Sequence, residues 1–91
     1  MFAVCQDMVG VSESDYKAVL AELDGAGDRA EGLVTHVAGP VEGGYRIIDT
    51  WKSRADAEAF WAEHLTPAVA RAHGQRGGEM RQGFTWLEVG A

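Results

Sequence analysis

His64 is the side chain whose type and place best suit it to move a proton. It falls at helical spacing with Ala57, Phe60, Trp61 and Leu65, so the stripe that carries it should face a sheet. An imidazole titrating near neutrality could take a proton from a phenol and leave an electron-rich anion able to react with oxygen. The same position suits a histidine hydrogen-bonded to a neighbour at the edge of a core. His36, midway along a strand, is compatible with a second pocket base and equally with a subunit interface. His73 borders a glycine-rich loop and is expected in solvent. Trp51, Trp61 and Trp86, with Phe60, could wall a site for a flat apolar ligand, because such ligands stack on indole. Taken singly, each is an ordinary core or interface residue. Tyr45 and Asp49 share an alternating strand face with Trp51, where a hydroxyl and a carboxylate are costly to bury unpaired. They could orient a ligand or meet groups of a partner subunit. Cys5 has no basic neighbour in sequence to lower its pKa and reads as a small buried hydrophobe. No close ligand spacing accompanies His36 and His64, so no metal site is expected.

These residues need elements to hold them. Phe2–Val9 alternates as a strand, with Phe2, Val4, Gln6 and Met8 on one face. Ser12 and Asp15 have the spacing of a capping box, and Val11 can staple onto Tyr16. The helix that follows, Glu13–Leu23, buries Tyr16, Val19, Leu20 and Leu23 as one stripe and ends at Asp24-Gly25, where Gly25 suits the left-handed cap. Gly32–Ala38 and Tyr45–Lys52 read as two strands joined by a hairpin turn at Gly39–Gly44; Leu33, Thr35 and Val37 oppose Val34, His36 and Ala38. Ser53 and Asp56 repeat the capping spacing, so strand passes straight into helix, and Thr66-Pro67 should kink or restart it. The stretch His73–Gly83 is a glycine-rich loop, suited to a lid or to a plain connector, with a short extended piece near Met80. Phe84–Val89 is a last strand. The order strand, helix, strand, strand, helix, strand is the ferredoxin-like α+β fold with an antiparallel sheet. Two helices cover one sheet face, and apolar side chains on the other call for a second copy of the chain.

Composition narrows the function. Ninety-one residues make one small domain spanning 1–91, with 46% apolar residues, as a globular protein requires. One cysteine excludes an internal disulfide, so self-association is the remaining way to extend the core. Eight basic against fourteen acidic residues, a net charge of −6, argue against nucleic acid as a partner. No apolar run reaches the length of a membrane span, and the first ten residues lack the features of a leader, so a cytoplasmic protein is expected.

The strand ending Asp49-Thr50-Trp51-Lys52-Ser53, followed at once by a helix with the aromatic pair Phe60-Trp61, resembles the antibiotic-biosynthesis-monooxygenase (ABM) family. His36 in Leu33-Val34-Thr35-His36-Val37, the turn Gly39-Pro40-Val41-Glu42-Gly43-Gly44 and the late Leu65-Thr66-Pro67-Ala68 are similar to bacterial members of that family. The resemblance implies a homodimeric α/β barrel with a pocket between helices and sheet in each subunit. It implies activities that range from cofactor-free oxygenation of aromatic polyketides to haem degradation and quinol oxidation. The polyketide oxygenases and haem degraders are associated with a pocket asparagine, and this chain has none. Trp61 lies near the tryptophan of the haem degraders, whereas His64 and His73 do not match their haem-ligating histidine.

The expectation is thus a small oxygenase without metal or other cofactor, acting on an electron-rich aromatic molecule. Trp51, Trp61, Phe60 and Trp86 would form walls, and His64, with His36 or Tyr45, would manage the proton. A non-catalytic binding protein using the same pocket is the alternative reading, and haem binding is a third.

Overall fold

The computed structural model describes residues 1–77 and 82–89. Alternation sets the first strand, β1 (Phe2–Val9), whose Val4, Gln6 and Met8 are buried on one face. Helix α1 (Glu13–Leu23) starts at a complete capping box: Ser12 Oγ accepts from the Asp15 N–H, and the Asp15 carboxylate accepts from the Ser12 N–H, both at 3.1 Å. It ends at Asp24, itself left-handed with φ 49°, one residue before the expected glycine. A 3₁₀ turn, Ala26–Arg29, fills the connection that follows.

Strands β2 (Leu33–Val41) and β3 (Gly44–Trp51) form a hairpin tighter than its glycine-proline content suggests. Gly39 and Pro40 stay within the ladder, and Gly43, at φ 79°, makes the turn. Gly32, at φ 83°, brings the start of β2 against Asp56, where a β-carbon would collide with the carboxylate. Helix α2 (Arg54–Phe60) is capped by Ser53 Oγ, which accepts from the Asp56 N–H at 3.1 Å. A π-helical turn, Trp61–Leu65, joins it to α3 (Thr66–His73), with Pro67 in the first turn of the new segment, where its missing N–H costs nothing. Strand β4 (Gln82–Glu88) closes the sheet.

The sheet is antiparallel with order β2-β3-β1-β4. This is the ferredoxin-like α+β arrangement. The inner face packs against the helices through two clusters. Met8, Val11 and Tyr45 gather Tyr16, Ala38 and Ile47; Val4, Trp51 and Ala57 gather Leu33, Phe60, Trp61 and Trp86. On the outer face, Val37 pairs with Ile48 and Ile48 with Cys5 across three strands, and Leu87 lies beside Ala3 in the next row. Val37 and Leu87 are 65% and 64% exposed. No helix among the described residues is long and apolar enough to cross a membrane. The extended piece near Met80, and residues 78–81 of the stretch read as a lid, lie outside the described residues.

One irregularity changes a predicted face. Strict alternation sets Leu33 opposite His36, but the β2–β3 register shifts between Leu33 and Thr35. The extra residue at this bulge brings Leu33, paired with Trp51, and His36, paired with Asp49, onto the same inner face.

Candidate active site

His36 and Asp49 are cross-strand partners on β2 and β3, so the ladder itself places imidazole beside carboxylate. His36 Nδ1 and Asp49 Oδ1 are 2.5 Å apart. The other ring nitrogen, Nε2, lies 2.7 Å from the hydroxyl of Tyr16, delivered from the first turns of α1. Tyr16 is held in plane by stacking on Tyr45, with centroids 4.8 Å apart, and lies parallel to the His36 ring. The result is a hydrogen-bonded chain from carboxylate through imidazole to phenol.

The chain has a defined polarity. A carboxylate accepts only, so Nδ1 carries a proton and donates to Asp49. In neutral His36, Nε2 then accepts from the Tyr16 O–H. Asp49 raises the His36 pKa above its ordinary value, chiefly through this hydrogen bond, and burial opposes the rise. Tyr16 is pushed up to about 12, first by burial and then by the neighbouring Tyr45 and Asp49. Tyr16 therefore keeps its proton at neutral pH, and an imidazolium at His36 is stabilised by the anion behind it. Asp49 is mostly shielded, its side chain 13% exposed, whereas the His36 side chain is 40% exposed.

This chain opens on a cavity of about 180 Å³ between helices and sheet. Trp51, Phe60 and Trp61 form an aromatic end, Val19, Leu20 and Leu23 of α1 an aliphatic wall, and Gln6, Tyr16, His36 and Asp49 polar points on it. Few polar groups converging in a mainly apolar hollow is the usual make-up of a small-molecule site. The Trp51 indole N–H is buried without a hydrogen-bond partner. Among the described residues, no group of three or more metal-ligating side chains occurs.

The backbone is similar to those of several solved structures. A crystal structure of an antibiotic biosynthesis monooxygenase matches with a TM-score of 0.66 and 20% identity, covering 100% of this chain and 98% of that one. The chain has the same fold as that protein. A dimeric ferredoxin-like protein of unknown function from Jannaschia sp. CCS1 gives a TM-score of 0.66 at 19% identity, over 98% of this chain and 100% of that one. SnoaB, a cofactor-independent oxygenase from Streptomyces nogalater, gives 0.64 at 15% identity, over 99% and 92%. No family model and no curated protein matches the chain.

Within this fold the residues singled out by sequence divide. His36, Asp49, Trp51, Phe60 and Trp61 line the cavity together. Tyr45 sits behind it, buried against Tyr16. Trp86 packs on Trp61 at 5.3 Å and under the Arg54 guanidinium at 4.6 Å, outside the cavity lining. His64 is exposed and lines a separate polar depression with Arg29, Glu31, Asp56 and Glu63. The π turn is the cause: its wider winding breaks the i, i+3, i+4 stripe, keeping Trp61 and Leu65 on the cavity and leaving His64 beyond Phe60, whose ring lines both hollows. His73 is partly buried, not solvated, with Nε2 2.9 Å from the Asp15 carbonyl oxygen.

Two cavity residues are not among the site candidates that sequence suggests. Tyr16 looks like a hydrophobic staple and is one, packing on Met8 and Val11, yet its hydroxyl reaches past the core to His36. Gln6 is the polar member of an otherwise apolar strand face, a visible signal, and is only 4% exposed.

Proposed function

We propose that the chain is an oxygenase of the ABM type that needs no resident cofactor and acts on a small, electron-rich aromatic molecule. The observation that carries this reading is the Tyr16–His36–Asp49 chain set in the wall of an aromatic cavity. The ring stacks among Trp51, Phe60 and Trp61, and its acidic O–H meets the Tyr16 hydroxyl. As the substrate proton passes to Tyr16 Oη, the Tyr16 proton passes to His36 Nε2, and Asp49 stabilises the imidazolium. Tyrosinate, costly at a pKa of about 12, then need not accumulate. The resulting anion is electron-rich at a ring carbon and forms the C–O bond to dioxygen. Elimination of water from the hydroperoxide leaves a new carbonyl: one oxygen atom enters the product, the other leaves as water, and the substrate supplies all four electrons. The base in this reading is His36, and His64 has no part in it.

Two copies complete the molecule in the same proposal. A second chain laid over the outer sheet face would cover Val37, Ile48 and Leu87, as the description of the Jannaschia protein as dimeric supports.

Oxygen uptake by the metal-stripped protein, offered quinols, naphthols and anthrones, tests the reading. Uptake above the autoxidation blank in wild type, lost in His36→Gln, is expected. Ligands that quench tryptophan fluorescence without any uptake would instead favour a binding protein that uses the same cavity.

A further inference from the structure

Gln6 is a second polar point in the cavity, separate from the proton-moving chain, and the chemistry described so far does not use it. It lies on β1, in the middle of the sheet, facing the helices with Val4 and Met8. Only 4% of its surface is exposed, and it lines the cavity. None of the side-chain hydrogen bonds among the described residues engages its carboxamide. A leucine or methionine would fill the same space, whereas the glutamine brings to the hollow an amide that no side chain of the described residues meets. The Trp51 indole N–H, in the same wall, is fully buried with no partner.

The register places Gln6 relative to the proton-moving chain. Val4 pairs with Asp49 and Asp49 with His36, while Gln6 pairs with Ile47. Gln6 is thus the diagonal neighbour of Asp49 on the same face, with α-carbons about 7–8 Å apart for such a pair. Two hydrogen-bonding centres therefore flank one hollow, and a single ring with oxygens on opposite sides can bridge them. The volume agrees, since a cavity of about 150 Å³ takes a benzene molecule and this one is about 180 Å³.

We propose that Gln6 is a specificity-determining residue whose carboxamide binds a second oxygen on the ring, so that the cavity selects single-ring para-diols and holds the hydroxyquinones that insertion of one oxygen atom, with loss of the other as water, makes of them. The carboxamide suits both substrate and product: its oxygen accepts from a hydroxyl, and its N–H donates to a carbonyl. This proposal rests on the reading of the cavity as a site for a small aromatic molecule.

The test uses two ligands of nearly the same shape, hydroquinone and 4-methylphenol, which differ by a hydroxyl in place of a methyl. Binding to the full chain is followed by tryptophan fluorescence under argon, where no oxidation intervenes. Wild type should bind hydroquinone about fivefold more tightly or better, the value of one neutral hydrogen bond. In Gln6→Leu that preference should vanish while 4-methylphenol binds at least as well as before, which also reports an intact cavity. Should the leucine chain not fold, Gln6→Met makes the same comparison. A preference that survives both replacements overturns the proposal, because another group then reads the second oxygen. Equal binding of the two ligands to wild type overturns it too, while leaving the aromatic site standing. If neither ligand binds, the reading of the cavity falls and Gln6's role falls with it.

Discussion

Replacing Asp49 by asparagine should move the pH dependence of turnover in a direction opposite to what mere damage would produce. Asp49 is the largest cause of the raised His36 pKa, and burial, which lowers it, is what remains once the charge is gone. His36 must be neutral to accept a proton, so the wild-type rate should climb with pH through a midpoint above 6.5. In Asp49→Asn the midpoint should fall below 6.5. The maximal rate should also drop, by about 10²–10⁴, the usual contribution of a positioned base, since an asparagine no longer dictates which ring nitrogen carries the proton. Stability should respond with the matching sign. A pKa raised on folding stabilises the protein fully below the unfolded value near 6.5, and that contribution is lost as pH rises through the folded value. With the His36 side chain 40% exposed, water screens the pair, and the contribution is about 1 kcal/mol or less. Rate profiles from pH 5 to 9, with urea melts at both ends, measure both effects. A midpoint unmoved by Asp49→Asn would mean that His36 is not the titrating base, and the proton path drawn here would be wrong.

Tyr16→Phe keeps the stacking on Tyr45 and removes the 2.7 Å bond to His36. It should cost about 0.5–1.5 kcal/mol in a urea melt but at least about tenfold in rate; an unchanged rate would take the tyrosine out of the proton path. His64→Ala should leave oxygen uptake within about twofold of wild type, as surface changes away from a site usually do. A loss comparable to that of His36→Gln would return His64 to the chemistry. Leu87→Glu, on the outer sheet face, should convert a dimer to a monomer in sedimentation velocity with little change in secondary structure by circular dichroism. A sedimentation coefficient identical to wild type would show that this face is not where two copies meet.

Much of the fold could be read from local chemistry. Alternation in Phe2–Val9 and Tyr45–Lys52 found two strands, and Ser12 and Ser53 marked both helix starts because a hydroxyl at that position satisfies an otherwise orphaned N–H. The hairpin turn is shorter than Gly39 and Pro40 suggest, because the ladder tolerates them on β2, an edge strand of the sheet among the described residues. Sequence shows Tyr16 only as a ring on a buried stripe. A tyrosine on a buried stripe packs like phenylalanine, and nothing local shows that its hydroxyl will find a histidine twenty residues on.

What periodicity could not show has one physical form in both halves of the site. A regular strand repeats every two residues and a regular helix every 3.6, so a pattern read along the chain assumes that no residue is added or lost. The bulge at Val34 adds one to β2, and the π turn at Trp61–Leu65 adds one to a helical winding. Each inserts a single residue, and each re-aims a histidine: His36 joins Leu33 on the cavity face, and His64 leaves the stripe it shares with Phe60 and Trp61. Such insertions cost ladder or helical hydrogen-bond geometry and return nothing to local stability, which is why they concentrate at functional sites. The bulge can therefore be tested for function. Deleting Val34 would close the bulge and leave Leu33, Thr35 and His36 opposite Trp51, Thr50 and Asp49, so a folded variant should keep His36 on the cavity face and retain uptake; a folded variant that has lost uptake would show that the bend of the bulge, and not the pairing alone, positions His36.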